Sequence, residues 1–388
     1  MAGFECADHR NHYGERVDLL TDTGHLAQLT ADYRRIRELN LTTVREGIRW
    51  SVVEPRPYEY HWDSVARILE EGRAQGIQQL WDICHFGWPD DISPLHPHFV
   101  PRFVALCEAF VRFYRSRNQD SQLIVTPVNE VSFISWLCGE AGSAAPYCRR
   151  MGWDIKYHLC RAYIAGIKAM RAIDPSVIIM TTEPLVNMVP PLDATEEEIM
   201  LAQQEHELQY QTVDMLTGRS CPELGGAPEL IDILGFNYYY NNQWVVPGMT
   251  FLPWANEGED PRWRPLSDLL EEAWRRYDIP IALTETSHPG EHRPHWLHFI
   301  TSACAQAISK GVPLKGICLY PVIDRPDWDH PQHWHHSGLW DNFSGAGPDA
   351  GRVLVTDYAA ALAECQRLIA AVWHGHSQKV WEEALLAE

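Results

Sequence analysis

Helix-like amphipathic segments alternate with short apolar, strand-like runs along most of the chain. The pattern predicts seven helix–strand pairs: His25–Leu39 with Thr43–Ile48, Val65–Gln75 with Gln78–Cys84, Pro101–Tyr114 with Gln122–Val125, Trp153–Ile173 with Ser176–Met180, Ala194–Leu216 with Ile231–Asn237, Leu266–Arg276 with Ile281–Leu283, and His295–Lys310 with Leu314–Tyr320. An opening strand at Gly3–Cys6 and a closing helix at Asp357–Ala371 bring the number of strand–helix units to eight.

This alternation predicts an α/β fold, because parallel strands need crossover helices between them. Eight units in one chain favour a closed (β/α)8 TIM barrel in a single domain. The competing fold, an open doubly wound sheet, usually carries a glycine-rich phosphate turn after an early strand, and the chain has no G-x-G-x-x-G. We expect the barrel domain to span residues 1–374 and a C-terminal extension to occupy 375–388.

Composition narrows the class of partner. The 388 residues are 45% hydrophobic and carry a formal net charge of -20, so a polyanion such as nucleic acid would be repelled. No apolar run approaches the roughly 18 residues of a membrane span. The ten cysteines form no C-x-x-C pair, and the first residues do not read as a signal peptide, which together predict a cytoplasmic protein. The oligomeric state stays open, a homo-oligomer included.

Polar residues at the ends of the predicted strands suggest the chemistry. Active sites of (β/α)8 barrels are built from the carboxyl ends of several strands. Those ends carry Arg45, His85, Asn129, Glu130, Tyr238, Glu285 and Tyr320. The set holds two carboxyls and no three-ligand metal grouping, so we expect neither a metal nor a cofactor. It suits cleavage of a glycosidic bond by two carboxyl groups.

Seven segments of the chain resemble the motifs of glycoside hydrolase family 1, the β-glucosidase and β-galactosidase group of retaining barrel enzymes. They occur in the family's order and run from about residue 44 to 342. They are Val44-Arg-Glu-Gly-Ile-Arg-Trp-Ser-Val-Val-Glu-Pro55, His85-Phe-Gly-Trp-Pro89, Thr126-Pro-Val-Asn-Glu130, Asp232-Ile-Leu-Gly-Phe-Asn-Tyr-Tyr239, Leu283-Thr-Glu285, Tyr320-Pro-Val-Ile-Asp-Arg-Pro-Asp-Trp328 and Ser337-Gly-Leu339.

The resemblance implies roles for the catalytic positions. Glu130 would be the general acid/base, and Glu285 the nucleophile that forms a covalent glycosyl-enzyme intermediate. In a retaining enzyme these carboxyls lie roughly 5–5.5 Å apart. Asn129 would bind the sugar 2-hydroxyl, while Arg45 and Tyr238 would contact Glu285 and hold it ionised.

The resemblance also implies a sugar-binding pocket. His85 would bind a hydroxyl of the glycone, and Asp327 and Trp328 would lie at its far edge. Several positions depart from the family motifs: Tyr320 replaces a tryptophan, Asp327 replaces a glutamate, and Arg325-Pro326 replaces Asn-Phe. We therefore expect a retaining exo-β-glycosidase acting on a small-molecule or oligosaccharide glycoside whose sugar is not the family's usual glucose or galactose.

Two other functions remain open on the sequence. The first is a metal-dependent hydrolase on the same barrel that uses His330, His333, His335 and His336. These residues lack the H-E-x-x-H spacing, and Pro331 and the neighbouring aromatic residues indicate an irregular loop. The second is a carbohydrate-binding protein without turnover, although the presence of both glutamates argues against it.

Overall fold

The computed structural model describes residues 1–118, 121–256, 260–342 and 351–386. Within them, fourteen strands are assigned: β1 Ala2–Gly3, β2 Thr43–Gly47, β3 Gln78–Cys84, β4 Ile124–Val128, β5 Ile178–Ile179, β6 Glu183–Pro184, β7 Asn187–Val189, β8 Leu234–Asn237, β9 Gln243–Val245, β10 Thr250–Phe251, β11 Ile281–Thr286, β12 Leu314–Leu319, β13 Trp340–Asn342 and β14 Arg352–Leu354.

Helices follow most of the strands. The α-helices are α1 Leu19–Asp22, α2 His25–Glu38, α3 Trp50–Val53, α4 Asp63–Gln75, α5 Phe99–Arg117, α6 Val131–Trp136, α7 Gly152–Ile173, α8 Glu196–Glu207, α9 Gln211–Leu216, α10 Leu266–Tyr277, α11 Arg293–Ser309 and α12 Thr356–Leu386. Short 3-10 turns lie at Leu208–Tyr210, Pro222–Leu224, Pro228–Leu230, Trp254–Asn256 and Gly290–His292, and a π-helical turn at Leu137–Ala141.

The main sheet closes into a barrel. Its strand order is β5-β4-β3-β2-β1-β12-β11-β8-β6, with parallel pairing throughout. β5 and β6 are two parts of one fifth strand, because Met180 between them bridges in parallel to Ile233 next to β8. The sheet therefore contains eight barrel strands with helices between them, and the predicted (β/α)8 fold is confirmed.

The barrel interior is filled in layers. Leu80, Ile124, Met180 and Ala282 form an apolar cluster contributed by four different strands. Two residues further along β3, Asp82 faces the interior beside Arg45 of β2, in agreement with the two-residue period of a strand. The interior thus changes from apolar to charged toward the carboxyl ends of the strands, where the site lies.

Three elements differ from the sequence prediction. The opening strand is shorter than Gly3–Cys6, because the Glu5 side chain accepts the backbone N–H groups of Cys6 and Ala7 that would otherwise pair in the sheet. The fifth strand is interrupted where the Thr181 hydroxyl, rather than its backbone, bonds to the backbone of Gly235. The predicted helix Ala194–Leu216 is divided between α8 and α9 by a 3-10 turn.

The C-terminal part of the chain is one long helix. α12 packs against α11 and continues through residue 375, where the sequence predicts that an extension begins. Residues 387–388 of that extension lie outside the described residues. In the part of the chain that the structure describes, no helix combines the length and the apolar character needed to cross a lipid bilayer.

Candidate active site

Glu130 lies immediately after β4 in a backbone conformation that is uncommon for residues other than glycine, with φ at 47°. Its N–H donates to the carbonyl of Thr182 at 2.7 Å. The following N–H groups of Val131 and Ser132, which begin α6, donate to the carboxylate of Glu183 at 2.6 and 3.1 Å. The fifth barrel strand therefore fixes the turn that aims Glu130 at the barrel axis.

Glu285 is aimed into the same space by an irregularity in β11. The pairing register with both neighbouring strands shifts between Leu283 and the residues that follow it. Bulges of this kind are frequent beside active sites, since they re-aim one side chain. The Glu285 carboxylate accepts a hydrogen bond from Arg45 at 2.9 Å and another from the Tyr239 hydroxyl at 2.8 Å. These two donors orient it and offset its charge.

Asn237 lies beside both glutamates. It is the strand partner of Glu285 in β8, and its side-chain N–H donates to Glu130 at 2.9 Å. The Thr284 hydroxyl donates to its carbonyl oxygen at 2.7 Å, which fixes the orientation of the amide. Glu130 and Glu285 are only 9% and 4% exposed, so both carboxyl groups are buried at the carboxyl ends of the strands.

The environment of Glu130 favours its protonated form. Burial, reinforced by the negative charge of Glu285 and then that of Glu183, raises the pKa of Glu130 well above its usual range, against the hydrogen bond from Asn237. Burial and the charges of Glu285 and Glu130 also raise the pKa of Tyr239, which keeps its phenol a hydrogen-bond donor. Glu130 is thus suited to act as an acid, whereas the Glu285 carboxylate accepts two hydrogen bonds.

The prediction that the Tyr238 side chain contacts the Glu285 carboxylate is wrong, and the neighbouring Tyr239 makes that contact. Asn237 points into the barrel, so strand alternation sends Tyr238 outward and Tyr239 inward. The Tyr238 ring stacks on Trp296 of α11 at 6.0 Å, and its hydroxyl accepts from Gln243. Its backbone N–H donates to the backbone carbonyl of Glu285 at 2.9 Å.

Arg45 and Asp82 form a charged pair beneath the site. Arg45 donates to Asp82 at 2.6 Å and to the side-chain carbonyl of Asn129 at 3.1 Å, as well as to Glu285. His85 Nδ1 donates to the same oxygen of Asp82 at 2.9 Å. Although burial opposes protonation, the hydrogen bond and charge of Asp82 and the charge of Glu5 raise the pKa of His85. Arg45, Asn129 and His85 thus meet at the site, as predicted.

Tyr320 also reaches the site, at the end of β12. Its hydroxyl lies 3.1 Å from His85 Nε2 and donates to Glu5 at 3.3 Å. The Arg45 guanidinium lies 5.0 Å from the centre of its ring. Glu5 in turn pairs with Arg325 at 3.2 Å. Glu5 and Arg325 thus place an ion pair beside His85 and Tyr320, where the sequence predicts the sugar-binding pocket.

Asp327 is engaged by its own loop. One carboxylate oxygen accepts the N–H groups of Asp329 and His330, and the other lies 3.1 Å from His335 Nε2. Because both carboxylate oxygens already have partners within the loop, little of the carboxylate is left to bind a sugar. Trp328 packs against Phe86, with ring centres 5.1 Å apart, and the Arg325 guanidinium lies 5.4 Å from its ring. Trp328 lies at the edge of the pocket, while Asp327 shapes the loop.

The four histidines at 330–336 do not converge on one point. His335 is paired with Asp327, and His333 contacts it only edge to ring, with centres 5.6 Å apart. His330 lies against Tyr13 at 5.9 Å. Among the described residues, His336 is the one member of the four that falls in a group of three possible metal ligands, together with Asp324 and Asp341. No shared metal centre of the four is formed there.

Comparison with known proteins agrees with this architecture. No protein-family model and no curated protein matches the chain. Among solved structures, the family 1 β-glucosidase from Thermotoga maritima superposes with a TM-score of 0.75 at 16% identity, covering 94% of this chain and 93% of the other.

Two further structures give similar values. The same Thermotoga maritima enzyme in complex with glucoimidazole matches with a TM-score of 0.75 at 17% identity, covering 92% of this chain and 90% of the other. The AHE enzyme from Alicyclobacillus herbarius matches with a TM-score of 0.74 at 18% identity, covering 94% and 90%. The chain therefore has the family 1 β-glucosidase fold, at a sequence identity that leaves its activity to be argued from the site.

Several residues of the site were not predicted from the sequence. Asn237 and Tyr239 lie inside the motif Asp232–Tyr239, at a strand end, but the motif does not show which face of the strand is turned into the barrel. Glu5 lies inside the predicted opening strand Gly3–Cys6, in a segment without a matching family motif. Asp82 and Glu183 carry no sequence signal, because their function depends on strands that are distant in the chain.

Proposed function

We propose that this protein is a retaining exo-β-glycosidase that works by double displacement with two glutamates and no cofactor. One observation carries the proposal. Two buried glutamates lie at β4 and β11: Asn237 donates to the carboxyl group of Glu130 and pairs in the sheet with Glu285, and Glu285 forms an ion pair with Arg45. A pair of carboxyl groups in unlike environments is the arrangement that acid-assisted nucleophilic attack on an anomeric carbon requires.

In the first step, Glu285 attacks the anomeric carbon and Glu130 donates its proton to the leaving oxygen. The C–O bond to the aglycone breaks as the Glu285–glycosyl ester bond forms. Arg45 and Tyr239 hold the attacking carboxylate in place, which removes most of its freedom before the reaction. The raised pKa of Glu130 favours the protonated form, which is the form that can donate.

In the second step, water replaces the aglycone. Glu130, now ionised, takes a proton from the water as it attacks the same carbon, and the ester bond to Glu285 breaks. The anomeric configuration is inverted twice and so retained. Asn129, fixed by Arg45, would hydrogen-bond the sugar 2-hydroxyl, and His85 would bind a neighbouring hydroxyl.

The pocket supports an unusual glycone. Asp327 is turned toward Asp329, His330 and His335, and Arg325 pairs with Glu5 at the pocket wall. A charged or modified sugar, such as a uronic, amino, deoxy or phosphorylated glycone, therefore belongs in any substrate panel. The predicted cytoplasmic location and small glycoside substrate remain part of this proposal.

A mechanism-based glycoside tests the proposal. A panel of 2-deoxy-2-fluoroglycosides with good leaving groups should trap a covalent intermediate, and peptide mass spectrometry should place the sugar on Glu285. The Glu285→Gln variant is the matched control and should stay unlabelled. Wild-type labelling at another residue, or none across a broad panel, would overturn the assignment, and binding without labelling would favour a carbohydrate-binding protein. Turnover that disappears after chelation would favour a metal-dependent hydrolase.

A further inference from the structure

Asp324 is a buried carboxylate with an unsatisfied oxygen. It lies in the loop between β12 and β13, four residues after Tyr320, and the whole residue is buried, with 0% of its surface exposed. Oδ1 accepts the N–H of Ser337 at 3.0 Å, whereas Oδ2 has no hydrogen-bond partner among the described residues. A buried charge without a partner is costly, so this oxygen calls for a proton or a cation.

The groups nearest to that oxygen are possible metal ligands. His336 Nδ1 lies 3.6 Å from Asp324 Oδ2 and 3.7 Å from Asp341 Oδ1. The three ligand atoms all lie within 4.8 Å of one another. Asp341, in β13, is only 8% exposed, so two carboxylates with the same charge sit together in an enclosed place.

Arg293 compensates only part of this charge. It donates to Asp341 Oδ1 at 2.7 Å and to the carbonyl of Gly338 at 2.9 Å. Both of its terminal nitrogens face Asp341, so the one guanidinium is directed at one of the two carboxyl groups. The exposed side of the cluster is formed by His336, whose side chain is 45% exposed, and this side gives a cation and its water ligands a route in.

We propose that Asp324, Asp341 and His336 bind one divalent transition-metal cation of the zinc type, which fastens the loop that carries Trp328 beside the active site. Imidazole nitrogen combined with two carboxylate oxygens suits Zn²⁺ and its neighbours better than Ca²⁺ or Mg²⁺, which prefer oxygen ligands alone. The cation neutralises Asp324 and joins the loop at 324 and 336 to β13. It takes no part in bond cleavage, so the proposal is independent of the glycosidase activity.

Zinc binding by the chelated full-length protein tests this site. Isothermal titration with ZnCl2 and a thermal-shift assay are run on wild type, on His336→Ala and on Asp324→Asn. His333→Ala is the matched control, because it removes a histidine of the same loop that is not in the cluster. We expect one Zn²⁺ per chain and a higher Tm with Zn²⁺ for wild type and His333→Ala. Loss of a ligand in His336→Ala should weaken binding at least about tenfold.

His336→Ala keeps the test sound if Asp324→Asn fails to fold, because the His336 side chain is nearly half exposed. Equal Zn²⁺ affinity and equal Tm shifts in wild type and His336→Ala would overturn the proposal, as would the absence of Zn²⁺ binding by wild type. Preference for Ca²⁺ or Mg²⁺ over Zn²⁺ would also overturn it, because the imidazole would then not be a ligand. Activity is not the readout, so this result and that of the labelling experiment are separate.

Discussion

A difference of one residue after β8 decides whether Tyr238 or Tyr239 contacts the nucleophile Glu285. Tyr239→Phe removes one hydrogen bond to the Glu285 carboxylate and nothing of the ring. A hydrogen bond to a charged group contributes about 1.5–3 kcal/mol, so kcat/KM should fall by about 10- to 100-fold. Tyr238→Phe is the matched control, one residue away and outside the barrel, and should leave kcat/KM nearly unchanged. Equal losses in the two variants would contradict the assignment of Tyr239.

The general acid is tested by the choice of leaving group. Glu130→Gln keeps the size of the side chain but has no proton to donate. General acid catalysis typically contributes about 10²–10⁴-fold, and we expect a loss of that order for alkyl glycosides, whose leaving groups need protonation. Nitrophenyl glycosides, whose leaving groups depart without a proton, should lose much less. The same loss for both classes of substrate would show that Glu130 is not the acid.

The sequence predicts which strand-end residues belong to the candidate site only where a motif contains them. Glu130, Glu285, Arg45 and Asn129 each follow or belong to a strand, and the structure brings them together. The motif resemblance alone predicts Tyr238 in place of Tyr239, because the motif contains both and does not show which of the two faces the barrel interior. The contact of Asn237 with Glu130 shows that Asn237 faces the barrel interior, and the two-residue alternation of a strand then assigns the inward position to Tyr239.

At the scale of secondary-structure elements, the junction of β4, α6 and the fifth strand sets the acid. Glu183 accepts the first two N–H groups of α6 and also contributes, through its charge, to the raised pKa of Glu130. Such a contact joins two strands whose sequences are more than fifty residues apart, which is why no local pattern indicated it. The interruption of the fifth strand also depends on a contact between residues distant in the chain, that of Thr181 with Gly235.

Glu183→Gln should move the pH profile of the reaction. The folded pKa of Glu130 is raised, partly by the charge of Glu183, so removal of that charge lowers it. Glu130 then loses its proton at lower pH, and the alkaline limb of kcat/KM for an alkyl glycoside shifts toward acid. Glu140→Gln is the control, because Glu140 also accepts a backbone N–H at the start of a helix, that of Gly152 in α7 rather than those of α6. An unchanged alkaline limb in Glu183→Gln, or the same shift in Glu140→Gln, would contradict this coupling.

At the scale of the whole molecule, the alternation of helices and strands was sufficient to predict the barrel. The sheet can close into a barrel when each strand buries both of its faces and runs parallel to its neighbours. Both properties can be inferred from the hydrophobic pattern of the sequence. The charged interior at the carboxyl ends of the strands was not evident in that pattern. Arg45 and Asp82 interrupt strand-like runs, and the two side chains form an ion pair with each other there.

The last helix allows the predicted domain boundary to be tested. The described side chains of α12 that are buried lie between Tyr358 and Cys365, against the barrel. A chain ending at His374 should therefore keep its fold and activity, with a change in Tm below about 3 °C. Leu362→Ala, made in the full chain, provides the opposite case, since removal of a buried leucine costs about 2–5 kcal/mol. Differential scanning calorimetry and hydrolysis of one substrate measure both variants. If the shortened chain aggregated or lost more stability than Leu362→Ala, residues 375–388 would belong to the folded domain rather than to an extension.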